Sequence, residues 1–305
     1  VSEINLLLLA MLRHENIEAD PVLMSLRSRG VVHPVYPLMD RFNYLVCQVS
    51  LPSGIVYLDA SHPMTGFGKL PAACYNGAAW VLAPEPYKID FSTDSLKESK
   101  ITSYLLINDS TGGMDGSSTV VLGTYESQNL REKVQKTKTE EYSKEIAKAI
   151  GMETVVSNLQ MDSLTLYEEP VSLRYNVKLK FNEEDMIYFD PLMGEATKKN
   201  PFTAATRLYP VEMPYTFDET ILLNMEIPKG YVVDEIPKSV RFKYNEDEGM
   251  FEYIIAKTPD KVQLRCRMWI NKSIFTQEDY DGLREFFAFA IKKQSEQVVF
   301  KKQKA

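Results

Sequence analysis

The chain has 305 residues, 44% of them hydrophobic, enough to bury a sizeable core in two or three domains. Its 42 acidic and 35 basic residues leave a net charge of −7, which repels a phosphate backbone and argues against nucleic acid as a partner. The longest apolar run near the start, Ile4 to Leu12 broken by Asn5, falls far short of the roughly 20 residues that cross a bilayer, so no membrane span is expected.

Ile4 to His14 is apolar around most of a helical circumference, which predicts a helix buried inside a core, with Ser2 as its N-cap and Glu3 at the positive end of its dipole. Pro21 to Leu26 reads as a strand and Arg27 to Asp40 as a loop. Phe42 to Val49 and Ile55 to Asp59 are apolar, β-branched and aromatic runs on either side of Pro52-Ser53-Gly54, the pattern of an antiparallel hairpin whose second strand ends on a carboxylate. The glycines and prolines of Met64 to Pro86 predict a mostly irregular stretch with one short run at Trp80 to Leu82, and a charged boundary follows at Asp90 to Lys100.

Ile101 to Ile107 and Ser118 to Thr124 read as a hairpin with a polar loop, and Asn129 to Ile150 as one amphipathic surface helix ended by Gly151. Leu159 to Tyr167, Val171 to Phe181 and Met186 to Phe189 are strand-like. The last third carries five further short strands with tight connections, which predict antiparallel pairing, then a helix over Gln277 to Lys293 and a closing strand at Gln297 to Phe300.

Cys47, Cys74 and Cys266 are too widely spaced for a disulfide framework or a metal-binding pair and are expected to be small core residues. Asn108 to Asp115 and Asn182 to Asp185 are rich in oxygen but lack calcium-loop spacing, and Gly66-x-Gly68 lacks the third glycine of a dinucleotide fingerprint. No metal and no cofactor is expected.

The opening helix followed by the Phe42 to Asp59 hairpin resembles a transglutaminase or papain-type catalytic core. Leu58-Asp59-Ala60, Asn129-Leu130-Arg131, Asn200-Pro201-Phe202 with Arg207, Tyr209-Pro210-Val211 and Ile227-Pro228-Lys229-Gly230-Tyr231 extend the resemblance to bacterial exported transglutaminase-like proteins. In that family a Cys at a helix N-terminus is the nucleophile, a His on the first hairpin strand is the base, and an Asp on the next strand orients the His. Matched by motif, Val1 stands at the nucleophile, Tyr44 at the base, and Asp59 alone keeps its identity. The triad is thus degenerate: valine has no lone pair, and a phenol with a reference pKa of about 10 is a poor base near neutrality. The resemblance also implies an upstream β domain and an export signal that this chain lacks, and a periplasmic or otherwise exported location.

Ser2, His62 and Cys74 are the candidate cleft residues for relocated chemistry, because Ser2 adjoins the nucleophile position, a turn after Asp59 can swing His62 back, and Cys74 carries a thiol of unfixed orientation. Cys47 is an odd number of residues from Tyr44 and points to the opposite face of its strand, and His33 reads as a solvated loop residue.

The expected fold is α+β: a partial transglutaminase-like core over 1–95, a β-rich domain with one long helix over 96–200, and an antiparallel β domain with one packed helix over 201–305. The expected function is a non-catalytic binding or scaffold module for peptide, protein or glycan outside the cytoplasm. The alternative is a cysteine- or serine-dependent amidase or peptidase with relocated residues.

Overall fold

A computed structural model describes residues 2–33, 35–36, 38–181 and 184–303. Val1, expected from the resemblance to stand at the nucleophile position, and Asn182 and Glu183 of the oxygen-rich turn lie outside the described residues.

The chain opens with α1 (Ser2–His14), packed on the first two strands of a five-stranded sheet. That sheet holds β1 (Ala19–Met24), β2 (Tyr44–Leu51), β3 (Gly54–Leu58), β4 (Gly77–Val81) and β5 (Tyr87–Phe91), antiparallel throughout in the order β3-β2-β1-β4-β5. The expected hairpin is β2–β3, with Cys47 opposite Leu58. Three expectations are corrected here. Ser2 lies inside the first turn of α1 rather than capping it. The sheet covers only one side of that helix, so Asn5 and Leu9 are buried while Ile4, Leu6, Leu7 and Met11 face outward. The stretch read as irregular and then as a boundary contributes β4 and β5. Tyr87-Lys88-Ile89-Asp90-Phe91 alternates apolar and charged residues, the pattern of an edge strand with one face on a core.

The rest of the chain runs β6 (Lys97–Asn108), β7 (Met114–Val121), α2 (Thr124–Val134), α3 (Thr139–Ile150), β8 (Glu153–Asp162), β9 (Ser172–Lys180), β10 (Met186–Phe189) and β11 (Val211–Glu212). It continues through β12 (Thr216–Glu226), β13 (Tyr231–Glu235), β14 (Val240–Tyr244), β15 (Gly249–Lys257), β16 (Lys261–Ile270), β17 (Ile274–Phe275), α4 (Tyr280–Gln294) and β18 (Val298–Lys302). An eight-stranded sheet in the order β14-β15-β16-β12-β6-β7-β9-β8 is accompanied by a three-stranded sheet, β10-β18-β13, and the small pair β11-β17. The fold is α+β.

The helix expected over Asn129 to Ile150 is two helices. No apolar residue falls between Val134 and Tyr142 to hold the chain on the sheet, and Thr139-Glu140-Glu141 starts a fresh helix with acid in its first turn. The strand expected at Leu159 to Tyr167 begins earlier, as β8, and ends before Ser163, whose φ of +63° turns the chain. Pairing is antiparallel except between β12 and β6, which run parallel with Ile221 beside Thr102. That pair removes the expected division at residue 200. β12 inserts beside β6, and one core continues from Tyr104 through Phe189, Phe251 and Phe286 to Phe300. β1 to β5 have two small cores of their own, on opposite faces of their sheet.

Glu98 of β6 does the capping that Gly123 lacks a side chain to do, accepting from the backbone N–H groups of Tyr125 at 3.0 Å and Glu126 at 2.8 Å at the start of α2. A β-carbon at Gly123 would collide with that carboxylate. Arg27, which follows β1, donates to the carbonyls of Glu212 and Met213 at β11, and Asp94, which follows β5, accepts from the backbone N–H and hydroxyl of Ser273 just before β17. The five-stranded sheet is thus tied to the β11–β17 pair. No helix of the described residues is long and apolar enough to cross a membrane.

Candidate functional site

Tyr44 opens β2, and Asp59 follows the last residue of β3, so the hairpin register places the phenol beside the carboxylate. The Tyr44 hydroxyl donates to Asp59 Oδ2 at 2.6 Å. The turn after Asp59 carries Ser61 and His62 back onto the same spot. Ser61 donates its backbone N–H at 2.9 Å and its hydroxyl at 2.6 Å to Asp59 Oδ1. His62 Nδ1 lies 2.9 Å from the Tyr44 oxygen, 3.0 Å from Ser61 Oγ and 3.1 Å from Asp59 Oδ2.

From the other side α1 supplies Asn5, which is fully buried. Its Nδ2 donates to Leu45 O and to Asp59 Oδ1, each at 2.8 Å, and its Oδ1 accepts from the Ala60 N–H at 2.8 Å. All the hydrogen-bonding groups of this amide are engaged, which fixes helix, hairpin and turn relative to one another.

The Asp59 side chain is 0% exposed, while His62 is 36% exposed at the mouth of the cluster. Burial alone would raise the Asp59 pKa, but hydrogen bonds from Ser61, Tyr44 and Asn5 outweigh it and hold the group below its ordinary value. Tyr44 moves the other way: burial, then the bond to Asp59, push its phenol well above the usual tyrosine range. With both hydroxyl hydrogens committed to the carboxylate, the remaining hydrogen of the cluster is assigned to His62 Nδ1, directed at Tyr44 and Asp59. The arrangement can orient an imidazole. It holds the phenol as a donor, not a base.

The sequence candidates are thus partly brought together. Tyr44, Asp59 and His62 meet; His62 reads from sequence first as a surface loop residue, and the turn from Asp59 brings it in. Among the described residues no hydrogen bond joins Ser2 to the cluster. Cys74 is 1% exposed within the core that also holds Tyr44, and burial followed by the charge of Asp59 pushes its thiol up to about 12. Cys47 sits on the other face of β2 from Tyr44, as alternation requires, and donates to the Asn5 carbonyl at 3.1 Å; burial and Asp59 push it up to about 11. His33 is held in its own loop, where Nδ1 accepts from the N–H groups of Val35 and Tyr36.

Ser61 is a member of the cluster that sequence reasoning missed, and so is Asn5. The signal for Asn5 was present, a lone amide in the midst of the apolar run Ile4 to Leu9, where an unpartnered side chain would cost about 1–3 kcal/mol.

Burial pushes the third thiol, Cys266, up to about 12 as well. An aromatic disulfide reagent at pH 8 is therefore expected to leave the native chain unmodified and to titrate three thiols once it is unfolded. Prompt reaction of one thiol in the folded chain would contradict the placement of these cysteines as structural.

Residues 185–300 match the model of a domain of unknown function with a solved structure, DUF3858. No curated protein matches the chain. Among solved structures there is a likeness to a crystal structure of a "putative protease" from Parabacteroides distasonis ATCC 8503, at 12% identity and a TM-score of 0.49. The match takes in 98% of this chain and 43% of that one, so this chain spans less than half the length of that protein.

Proposed function

We propose that the chain is a non-catalytic, transglutaminase-like module that binds or holds a peptide, protein or glycan outside the cytoplasm. The observation that carries the reading is the state of Asp59: its side chain is sealed from solvent and both oxygens are taken up by Asn5, Tyr44, Ser61 and His62. A carboxylate used in this way anchors a helix, a hairpin and a turn. Around it, the phenol at the base position is a committed donor, and the neighbouring thiols Cys47 and Cys74 are held protonated near neutrality.

One observation favours the alternative, an amidase or peptidase with relocated roles. His62 is paired with Asp59 through Nδ1 and is partly exposed. The two readings separate in an assay of peptide-amide hydrolysis and amine incorporation. No turnover above the buffer blank is expected. Turnover that disappears in His62→Ala, a change at a partly exposed side chain that leaves the Asn5–Asp59 bond in place, would establish the alternative.

A further inference from the structure

Among the described residues the eight-stranded sheet ends in two unpaired edges, β14 and β8, and they are defended differently. β14 carries Arg241 and Lys243 and follows closely on Pro237, features that discourage another strand from adding. β8 has neither charge nor proline from Thr154 to Met161.

Along β8 runs a groove of about 520 Å³ bordered by Thr154, Val155, Val156, Ser157, Asn158 and Leu159. Consecutive strand residues face opposite ways, so a groove bordered by all of them follows the edge of the strand, where by alternation the Val156 N–H and the outward C=O groups lie, the Thr154 N–H being taken up by Met152 O at 3.1 Å. The far wall is α3, which presents Thr139, Ser143 and Ala147 at a spacing of four, a row of small side chains on one helical face. Glu140 and Lys144 add one charge of each sign to the lining. On the open face of the sheet a second concavity, of about 540 Å³, places Val155 and Ser157 beside Leu105 and Ile107. A register shift between Ser157 and Gln160, with Asn158 at a φ of +53°, bends the strand and limits the straight edge to its first half.

We propose that β8 is a docking edge for an extended, uncharged peptide segment of a partner protein. The segment adds to the sheet as a further strand and sends alternate side chains into the groove beside α3 and toward Val155 on the open face. Only an extended polypeptide offers donors and acceptors at the repeat of a strand edge. The small wall of α3 leaves room for its side chains, and the balanced charge of the lining favours neutral ones. β8 belongs to a different sheet from Asp59, so the proposal goes beyond the non-catalytic reading and stands whether or not the Asp59 cluster supports turnover.

The test uses the full chain. A displayed library of random peptides of about ten residues is selected against it, and chosen peptides are measured by fluorescence anisotropy. Selected peptides are expected to be uncharged and rich in β-branched residues, to slow amide hydrogen exchange in β8, and to bind Ala147→Trp, which fills the groove, at least about tenfold more weakly. Because a tryptophan there can disturb the seat of α3, Ser143→Gln is the milder companion, with thermal melting of both variants as a control on folding. The proposal is overturned if no peptide is selected over an unrelated target protein, if binding is indifferent to both variants, or if protection falls outside β8. Sedimentation as a dimer that Ala147→Trp dissociates would assign the edge to a second copy of the chain and would equally overturn it.

Discussion

Asp59→Ala is expected to destabilise the chain by about 3–4 kcal/mol, at the upper end for a single substitution. The change strands Asn5 Nδ2, the Ser61 N–H and hydroxyl, and the Tyr44 hydroxyl in a space from which water is excluded. Each buried donor left without its acceptor costs about 1–3 kcal/mol, reduced where it keeps a second partner, as Asn5 does with the Leu45 carbonyl. Urea denaturation followed by circular dichroism measures the loss, and a change below about 1 kcal/mol would rule out the keystone role.

The effect should depend on pH in one direction. The folded carboxyl titrates below its unfolded value of about 3.9, so the stability it supplies is complete above that pH and is withdrawn as pH falls through the folded pKa. The gap between wild type and Asp59→Ala is therefore expected to narrow in acid.

Arg131→Ala should cost about as much, roughly 3–4 kcal/mol, for a different reason. Arg131 of α2 is 4% exposed, and its guanidinium donates through Nε to Leu164 O at 3.2 Å, while Nη2 shares its hydrogens among Ser163 O, Leu166 O and Glu169 O at 3.0, 2.8 and 2.7 Å. It also lies over the Tyr167 ring at 5.5 Å. One side chain thus supplies the donors for a loop that returns on itself between β8 and β9.

That loop touches the first part of the chain. Glu168 accepts from the Phe67 N–H and its carbonyl from Lys69 Nζ, while Gly66, at a φ of +94°, lies so close that an added β-carbon would meet Tyr167 O at 2.8 Å. Faster hydrogen exchange over residues 163–169 and near Gly66 is expected in Arg131→Ala. Arg131→Lys should restore less than half of the lost stability, because an ammonium is a point donor and cannot span four carbonyls. Full recovery with lysine would show that charge, and not the planar fork, holds the loop.

Much of the candidate site could be read from the sequence. The Pro52-Ser53-Gly54 turn between two β-forming runs fixed the hairpin register, and with it the meeting of Tyr44 and Asp59. Strand alternation likewise placed Cys47 away from Tyr44. His62 and Ser61 could be proposed only as neighbours in sequence, because a turn of three residues can point its side chains in several directions. Asn5 is a contact across 54 residues to Asp59, and its buried amide was masked by the apolar run around it.

Local pattern thus determined what is local: the amphipathic helices α3 and α4, the alternating strands β6, β7 and β9, and the α+β class that follows from them. Tertiary structure alone decided the parallel pairing of β6 with β12, whose partners lie more than a hundred residues apart, and so the merging of two expected domains into one core. It also decided which side of α1 is covered and that, among the described residues, β8 stands at an unpaired edge. The physical reason is the same in each case. Periodicity tells a segment which of its faces is apolar, but the partner that covers that face, and the strand edge that stays open, are set by the arrangement with the lowest free energy for the whole chain.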